Sequence, residues 1–445
     1  MIKVTKFGGS SVANATQFKK VKHIIDSDSS RLFIVTSACG KSNSEDHKIT
    51  DLLYLCYAHV QYGVSCESIF SEIEEKYYKI KEELGLTIDL QSQFSIIRSQ
   101  LKKGISQDYL VSRGEYLTAL CLAEYLHAKF IDARDCIAFS YEGEIDLERT
   151  KQLLHQYIEP GVCTVIPGFY GSLPNGVIKV MSRGGSDITG SILANVLDAQ
   201  VYENWTDVSG FMVADPHIIN NPLRISCITY SELRQMSYMG ANVLHDDAVF
   251  PVRSKNIPIN IRNTNDPDNP GTMIMNDCSE WDKKEPPHFL TGITGRKDYT
   301  VITLVKSHSS TEVGFLRKIL EVFEEYHVSI ESVPITVDTF SIIVQSSLVE
   351  PYLYEIAGKL KKTVHPDELH IEENLALIAV VGRAMKKVPG MSGRLLSEFG
   401  RNHINIKVIN QSSDELSIVV GVDDHDFEKA IQCIYEKFII EESNR

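Results

Sequence analysis

Several classes of protein are excluded by what this sequence lacks. Its nine cysteines are an odd number and no two of them form a C-x-x-C pair, so we expect buried free thiols and neither a disulfide framework nor a zinc site. No apolar run approaches the length that spans a bilayer, and Met1 leads into a strand pattern without the basic and apolar segments of a signal peptide. We therefore expect a cytoplasmic protein with no membrane partner.

Positive charge is also in short supply. The chain has 45 lysines and arginines against 59 aspartates and glutamates, for a formal net charge of −14. This balance disfavours nucleic acids and anionic membranes as partners. With 445 residues, 43% of them hydrophobic and 23% charged, the composition is typical of a globular protein with two or three domains. Because basic residues are the minority, we expect those with a functional role to lie in binding sites.

The first strand pattern ends in a lysine and paired glycines. Lys6 is followed by Gly8 and Gly9, and Ser10 leads into a helical pattern. A strand-to-helix turn of this kind directs N–H groups at an anion, glycines let the main chain approach phosphate oxygens, and the lysine adds a full charge. An ordinary tight turn is the alternative. Because the lysine precedes the glycines, the P-loop and Rossmann patterns are excluded.

A second glycine loop precedes another helical pattern at residues 181–189. Arg183 can hold a carboxylate through two hydrogen bonds, the amides of Gly184, Gly185 and Ser186 can face an anion, and Asp187 can fix Lys6 or hold the polyphosphate side of the site. The alternative is a helix-capping aspartate beside a surface arginine. Together, the two loops favour phosphate chemistry.

The chain divides near residue 290, where residues 281–287 read W-D-K-K-E-P-P and show no apolar period. Before this point, strand-like runs at 31–37, 162–166 and 200–202 alternate with helical patterns, which predicts a parallel sheet covered by helices. Ligands bind beyond the carboxyl ends of the strands in such sheets. The loops at Gly8, Thr36, Gly168 and Thr206 follow strand candidates and should share one edge.

An internal repeat follows the predicted linker. Its positions recur at a constant offset of 76 residues, so that position 314 corresponds to 390, 323 to 399 and 330 to 406. Each copy has a strand, a loop with glycine, an amphipathic helix, two more strands and a second helix. This order is typical of ferredoxin-like modules.

Taken together, the motifs resemble the aspartate kinases of the amino acid kinase family. The similar segments are K-F-G-G-S-S at 6–11, S-R-G-E at 112–115, S-R-G-G-S-D at 182–187 and W-T-D-V-S-G at 205–210, with A-D-P at 214–216. The repeats resemble a pair of ACT domains. The resemblance spans nearly the whole chain and implies an α/β fold, an amino-acid kinase-like open sheet covered by helices over 1–290, followed by two ferredoxin-like (α+β) ACT domains at 298–368 and 374–445.

This resemblance implies ATP-dependent phosphorylation of the β-carboxylate of L-aspartate to 4-phospho-L-aspartate, with Mg²⁺, as the first step toward lysine, threonine and methionine. The β-carboxylate is ionised at neutral pH, so the reaction needs no general base. The residues implied are, for catalysis, Lys6, Gly8, Gly9 and Asp187; for aspartate, Thr36, Thr50, Glu115, Arg183 and Ser186; and for the nucleotide, Lys6, Gly8, Gly9, Ser10, Thr206, Asp207, Met212 and Asp215. No metal ligand is assigned.

Some of these assignments have structural alternatives. Glu115 would hold the substrate ammonium, yet S-x-x-E is also a helix-capping box. Thr36 and Thr50 lie at a strand end and a helix start, where hydroxyls are often structural. Cys39 has no activating histidine in its sequence context, so a buried thiol is the better interpretation.

On the nucleotide side the sequence departs from the family pattern. His217 stands where these kinases often have arginine in T-D-P-R, and Asn242 and Asp246 stand where they read G-A-K-V-L-H-P. Met212 occupies a position where tyrosine is frequent. Two phosphate-side cations of the family pattern are therefore missing.

The repeats extend the hypothesis to regulation. The resemblance implies an amino-acid effector at an ACT–ACT interface, with lysine as the first candidate and threonine as the second, and a homodimer formed through the ACT domains, with further assembly left open. The implied effector residues are Ser309, Glu312, Phe315, Leu316, Ser329, Ile330 and Glu331. The alternatives are a catalytically weak amino-acid sensor and a kinase of the same family that acts on another carboxylate.

Overall fold

The computed structural model describes residues 2–102, 104–182, 184–240, 244, 248–284 and 289–441. It contains two compact units, each formed from more than one stretch of the chain. The first comprises Met1–Phe211, Arg224–Ser231 and Asn242–Trp281, and the second comprises Met212–Leu223, Glu232–Ala241 and Asp282–Arg445. The domain limits at 290, 298, 368 and 374 stay a prediction, because the second unit also draws on segments before residue 290.

The first unit has a mostly parallel sheet, which confirms the predicted fold class. Within the described residues this sheet has eight strands in the order β3-β4-β2-β1-β7-β9-β10-β8. Strand β1 pairs in parallel with both β2 and β7, and only the pair β9 and β10 is antiparallel. The strands of the first unit, including a separate hairpin formed by β5 and β6, are β1 Lys3–Phe7, β2 Arg31–Thr36, β3 Lys129–Phe130, β4 Thr164–Pro167, β5 Tyr170–Ser172, β6 Ile178–Val180, β7 Val201–Thr206, β8 Cys227–Thr229, β9 Ile259–Asn263 and β10 Thr272–Met275.

Helices cover this sheet, and their ends follow local sequence signals. Helix α1 begins after Asn14, whose side chain accepts a hydrogen bond from the N–H of Gln17, and α3 ends at Gly85, which has a left-handed φ of 66°. The helices before the repeats are α1 Ala15–Asp26, α2 Ile49–Gln61, α3 Glu67–Leu84, α4 Leu90–Gln100, α5 Gln107–Leu126, α6 Ala133–Cys136, α7 Leu147–Tyr157, α8 Gly185–Val196, α9 Tyr230–Tyr238, α10 Phe250–Arg253 and α11 Ser279–Asp282.

A buried core joins α1 to α5 and the adjacent strands. Phe18, Phe70 and Phe94 contribute fully buried rings to it, and each such side chain contributes about 1.5–3 kcal/mol of transfer free energy when it leaves water. No helix of the described residues is long and apolar enough to cross a membrane.

The second unit contains one antiparallel sheet that serves both repeats. The order of its six described strands is β12-β13-β11-β14-β16-β15. The strands are β11 Gly292–Val305, β12 Ile330–Ser332, β13 Thr339–Gln345, β14 Glu368–Val381, β15 Val408–Gln411 and β16 Ser417–Asp423, and the helices are α12 Phe315–Glu325, α13 Ser346–Val349, α14 Leu353–Val364, α15 Met391–Arg401 and α16 Phe427–Tyr435.

The long strands β11 and β14 each belong to both repeats. Residues 299–305 of β11 pair with β13 and with the first part of β14, which completes the first ferredoxin-like module. Residues 292–296 pair instead with 377–381 of β14, which also pairs with β16. The second repeat therefore takes its fourth strand from a segment that precedes the first repeat in the chain.

The cysteines depart in part from the sequence-based expectation. Seven of them are free, at positions 39, 56, 66, 121, 136, 163 and 433. Cys227 and Cys278 are paired as a disulfide, 51 residues apart in sequence. The expectation of free thiols throughout was wrong for this pair, because β8 and the residues after β10 become neighbours only when these two strands pair.

Two glycine substitutions in the second unit should have opposite effects on stability. A Cβ at Gly295 would lie 2.5 Å from the carbonyl oxygen of Leu377, whereas one at Gly358, on the exposed side of α14, would meet nothing within 4 Å. We expect Gly295→Ala to cost about 1–3 kcal/mol through overpacking and Gly358→Ala to add about 0.5–1 kcal/mol through its helix propensity. Urea unfolding measures both, and a Gly295→Ala protein as stable as wild type would contradict the shared-strand packing.

Candidate active site

The carboxyl ends of four parallel strands meet at one edge of the first unit. Phe7 of β1 pairs with Thr36 of β2 and with Trp205 of β7, and Thr36 pairs with Pro167 of β4. These strand ends and the loops that follow them carry the predicted residues Gly8, Gly9, Ser10, Thr36, Thr206 and Asp207, whereas Thr50, Glu115, Ser186 and Asp187 lie on helices α2, α5 and α8. The predicted convergence of the loops at Gly8, Thr36, Gly168 and Thr206 is therefore present in the structure.

An ion pair between a buried lysine and a half-buried aspartate lies at this edge. The ammonium of Lys6 contacts Asp187 Oδ1 at 2.6 Å, with side-chain exposures of 9% and 16%. Asn204 Nδ2 donates to the same oxygen at 2.8 Å, and the hydroxyl of Tyr202 donates to the Asp187 carbonyl at 3.0 Å. Asp187 is thus held by strand β7 while it orients the lysine of β1.

The glycine turn after β1 is packed against the loop after β2. The N–H of Gly8 donates to the Trp205 carbonyl at 2.9 Å, and the N–H of Gly40 donates to the Gly9 carbonyl at 2.9 Å. The Gly8 amide is therefore engaged in the sheet and is not available to a phosphate, and a Cβ at this position would make only an ordinary van der Waals contact with Lys6 Nζ, at 3.5 Å. A short 3-10 helix begins at Gly9 and ends at Val12, and the amides of its first residues, Gly9 and Ser10, are the ones that can face an anion.

The second glycine loop leads into α8, with Gly184 as its N-cap at a φ of 76°. Ser186 is buried in the first turn. A Cβ on Gly168, in the loop after β4, would lie 2.7 Å from the Ser186 Cβ, so this glycine permits the close approach of helix and strand. Arg183 lies outside the described residues.

Glu115 is a buried carboxylate with unused hydrogen-bonding capacity. It is 4% exposed and its Oε2 has no hydrogen-bond partner among the described residues. Burial raises the pKa of Glu115 to about 8, although the N–H of Ala38 and the charge of Arg113 act in the opposite direction. A cation that arrived beside this carboxylate would restore its ionised form.

The two predicted threonines differ in their surroundings. Thr36 is fully buried, and its hydroxyl also lacks a partner within the part of the chain that the structure describes. Thr50 is half-buried at the start of α2. Cys39 is buried and its thiol pKa is raised to about 11 by burial, which agrees with the prediction that it is not a nucleophile.

The predicted nucleotide residues fall into both units. In the first unit, Thr206 ends β7, half-buried, and its hydroxyl donates to the exposed Asp207 at 3.1 Å. Met212 and Asp215 belong to the second unit, where exposed Asp215 contacts His217 at 2.8 Å. Asn242 and Asp246, the other departures from the family pattern, lie outside the described residues.

The predicted effector residues lie around the start of α12 and on β12. Hydrogen bonds from Lys306 and Lys318, at 2.6 and 2.8 Å, lower the pKa of Glu312 to about 2. Ser309 is buried and Ser329 is exposed.

Three of the predicted effector residues belong to the hydrophobic core of the first repeat or pack against it. Phe315 lies in the core of the first repeat, with Leu316 and Ile330 packed against it. Glu331 is half-buried; burial raises its pKa, and its carboxylate accepts a hydrogen bond from Tyr238 at 3.3 Å.

Sequence reasoning missed three contributors to the site. Asn204 lies on β7, directly before the W-T-D-V segment, and its side chain donates to Asp187. Gly40 donates through its backbone N–H to the Gly9 carbonyl, and Ala38 donates through its backbone N–H to Glu115. None of the three contacts could be predicted from the local sequence. A Cβ at Gly40, for example, would lie 2.5 Å from the Gly9 carbonyl carbon, and only the folded structure reveals this clash.

Comparisons with known proteins agree with this geometry. The amino acid kinase family profile matches residues 1–263, and an ACT-domain profile matches residues 378–438. Aspartokinase 3 of Bacillus subtilis is 35% identical over 455 residues, which cover 98% of each chain. The crystal structure of Clostridium acetobutylicum aspartate kinase superposes with a TM-score of 0.93 at 46% identity, over 98% of this chain and 100% of that one.

The structure of Escherichia coli aspartokinase III in complex with lysine and aspartate has the same fold. Its TM-score is 0.79 at 24% identity, over 98% of this chain and 99% of that one. The class defined by the fold and the paired glycine loops is therefore that of the small-molecule kinases with an attached ACT region. The chain belongs to the amino acid kinase family and, within it, to the aspartokinases.

The buried Glu115 makes a testable contribution to the pH dependence of stability. Its folded-state pKa, about 8, lies above its ordinary value of 4.5, so the folded state binds more protons between these values and stability falls as the pH rises through this range. Glu115→Gln should remove a slope of up to about 1.4 kcal/mol per pH unit. Urea unfolding between about pH 5 and pH 8 measures it.

Glu124, on the same helix, offers the matched control. Despite partial burial, its hydrogen bonds with Thr87 and Ile88 lower its pKa, so its stabilising contribution is present above the ordinary glutamate pKa and is lost only at lower pH. Glu124→Gln should leave the slope above pH 5 unchanged. Equal slopes in the wild-type and Glu115→Gln proteins would show that Glu115 is ionised in the folded state throughout.

Proposed function

We propose that this chain is an aspartate kinase that transfers the γ-phosphoryl group of ATP to the β-carboxylate of L-aspartate, forming 4-phospho-L-aspartate and ADP. The observation that carries the proposal is the Lys6–Asp187 ion pair beside the glycine turn. The similarity to the Bacillus and Clostridium enzymes over nearly the full chain supports it. The reaction would be the first step toward lysine, threonine and methionine.

Glu115 would hold the α-ammonium group of aspartate. A buried carboxylate without a partner for one oxygen gains a strong charge-assisted hydrogen bond when an ammonium arrives. The buried hydroxyl of Thr36, which has no hydrogen-bond partner among the described residues, supplies another polar group at the same edge. Arg183, with Ser186 and Thr50, completes the proposed set by binding a substrate carboxylate.

The phosphoryl group would be stabilised from the side of β1. Lys6 carries the charge that neutralises the transferring group, and the amides of Gly9 and Ser10 face its oxygens. Asp187 and Asn204 fix the position of the lysine, through the contact of Lys6 with Asp187 and the hydrogen bond from Asn204 to the same carboxylate. The attacking β-carboxylate is already an anion, so positioning and charge neutralisation account for the chemistry.

Magnesium is expected as part of the nucleotide substrate. The described residues contain no group of three or more His, Cys, Asp or Glu side chains arranged to hold a metal ion. Mg²⁺ commonly binds phosphate oxygens with only one or two protein carboxylates, so we propose that it arrives on ATP and neutralises phosphate charge there. The residues proposed for the rest of the nucleotide are Thr206, Asp207, Met212 and Asp215.

The repeats would make the enzyme sensitive to an amino acid. The Escherichia coli structure that shares this fold contains lysine as well as aspartate, and we propose lysine as the first effector to test and threonine as the second. Effector binding must favour one of two states to change activity. A homodimer formed through the ACT sheets and a cytoplasmic location are further parts of the proposal.

The decisive experiment measures ADP release with ATP and Mg²⁺ against L-aspartate, L-glutamate and N-acetyl-L-glutamate, each with and without lysine or threonine. We expect turnover with aspartate alone and suppression by one effector. Turnover with another acceptor would assign the chain to a different substrate. Saturable amino-acid binding without turnover would make it a sensor. The departures from the family pattern at His217 and Asn242 would then be the first candidates to explain the loss of activity.

Lys6→Met should separate catalysis from aspartate binding. We expect kcat to fall by about 10²–10³-fold, because a charge that faces the transferring group is lost, while the KM for aspartate changes little. Lys3→Met is the matched control, since Lys3 lies on the same strand but pairs with Asp28 at 2.7 Å. Steady-state kinetics measure both, and normal turnover by Lys6→Met would exclude the proposed role.

A further inference from the structure

Helix α3 carries none of the sequence motifs, yet one of its side chains contacts the loop that supports the glycine turn. The ammonium of Lys76 donates to the Gly40 carbonyl at 2.6 Å, to Asp46 Oδ2 at 2.7 Å and to the His47 carbonyl at 3.2 Å. A lysine ammonium has three N–H donors. All three are therefore used within the loop at residues 40–48, which we call the bracket loop.

The bracket loop is organised around the same contact. Asp46 Oδ2 also accepts a hydrogen bond from the N–H of Ser42 at 2.6 Å, so one carboxylate joins Lys76 to the start of the loop. Although burial acts in the opposite direction, the hydrogen bonds from Lys76 and Ser42 keep the pKa of Asp46 below its ordinary value. The side chains of Lys76 and Asp46 are only 13% and 22% exposed.

The bracket loop in turn packs against the glycine turn at Gly9 and Ser10. The N–H of Gly40 donates to the Gly9 carbonyl at 2.9 Å. A Cβ on Gly40 would lie 2.5 Å from the Gly9 carbonyl carbon and 2.8 Å from the Ser10 nitrogen. The peptide between Gly9 and Ser10 therefore rests directly on Gly40, whose own carbonyl is held by Lys76.

These contacts suggest a role beyond stability. A partly exposed ion pair is worth about 0–1 kcal/mol, and two of the three Lys76 acceptors are backbone carbonyls of the loop. An error of about 1 Å in the position of a phosphate-binding group can cost about 10²-fold in rate. A contact that restrains Gly40 therefore also restrains the amides that follow Gly9.

We propose that Lys76 is a positioning residue for phosphoryl transfer: through Gly40 it holds the Gly9–Ser10 peptide in the orientation that binds the terminal phosphates of ATP. The role rests on the proposed kinase function. It assigns no contact between Lys76 and either substrate, and it predicts an effect on the nucleotide side of the reaction alone.

Lys76→Met keeps the length of the side chain and removes its three donors. We expect kcat to fall by about 10–100-fold and the affinity for magnesium β,γ-imido-ATP to weaken by a similar factor. The affinity for AMP, which lacks the terminal phosphates, and the KM for aspartate should stay within about twofold. Lys76→Arg should recover part of the loss, because a guanidinium can also donate to a carbonyl and a carboxylate.

Lys79→Met is the matched control. Lys79 lies one turn away on α3, is exposed, and lines the same surface cavity of about 540 Å³ as Lys76, so its loss removes an equal charge without touching Gly40. We expect wild-type values. Equal kinetic and binding constants for Lys76→Met and Lys79→Met would overturn the proposal, as would a loss that affected AMP and aspartate as strongly as the imido analogue.

The experiment separates this proposal from the function on which it rests. Absence of ADP formation by the wild-type protein with any acceptor would overturn the kinase function. The binding measurements would still decide the role of Lys76 in holding the turn, since selective weakening toward the imido analogue supports it and unchanged selectivity excludes it.

Discussion

The parallel pairing of β1 with strands on both sides is the constraint on which the site depends. Because β1 lies between β2 and β7, the turn at its end is placed between two loops whose strands end at the same level. Lys6 then meets Asp187 and Asn204, and Gly9 meets Gly40. In a parallel sheet, hydrogen bonds along both edges of the central strand set this register, so the position of the lysine is a property of the whole sheet.

Two buried carboxyl groups of the first unit have different hydrogen-bonding environments. Glu203, on β7, accepts hydrogen bonds from Arg31 at 2.8 and 3.2 Å and from the Trp205 indole at 2.9 Å, so both of its oxygens are occupied by protein groups. Glu115 is equally buried but keeps one oxygen without a partner among the described residues. A buried polar group without a hydrogen bond costs about 1–3 kcal/mol. That cost would be relieved by a ligand that supplied the missing donor, and this is the physical basis on which we propose Glu115 as a ligand-binding residue.

Features encoded within a few neighbouring residues could be predicted from the sequence, and features produced by packing could not. The glycine turns, the α/β order and the repeat all follow from local spacing, and their placement at the ends of parallel strands follows from the general rule for open sheets. The contact of Asn204 with Asp187 and the pairing of Cys227 with Cys278 join segments that only the sheet brings together. The repeat in the sequence also does not show that residues 292–296 form a strand of the second copy, because this strand segment lies outside the repeating window.

The sharing of β11 and β14 changes what counts as a module in the second unit. Strand segments of the second repeat lie both before and after the first repeat in the chain. The first repeat is therefore nested within the second. Recombination that added or removed a single copy would leave unpaired strand edges, which proteins otherwise cover because they promote aggregation. The two repeats therefore form one folding unit, in which the removal of either copy would expose strands that the other copy now covers.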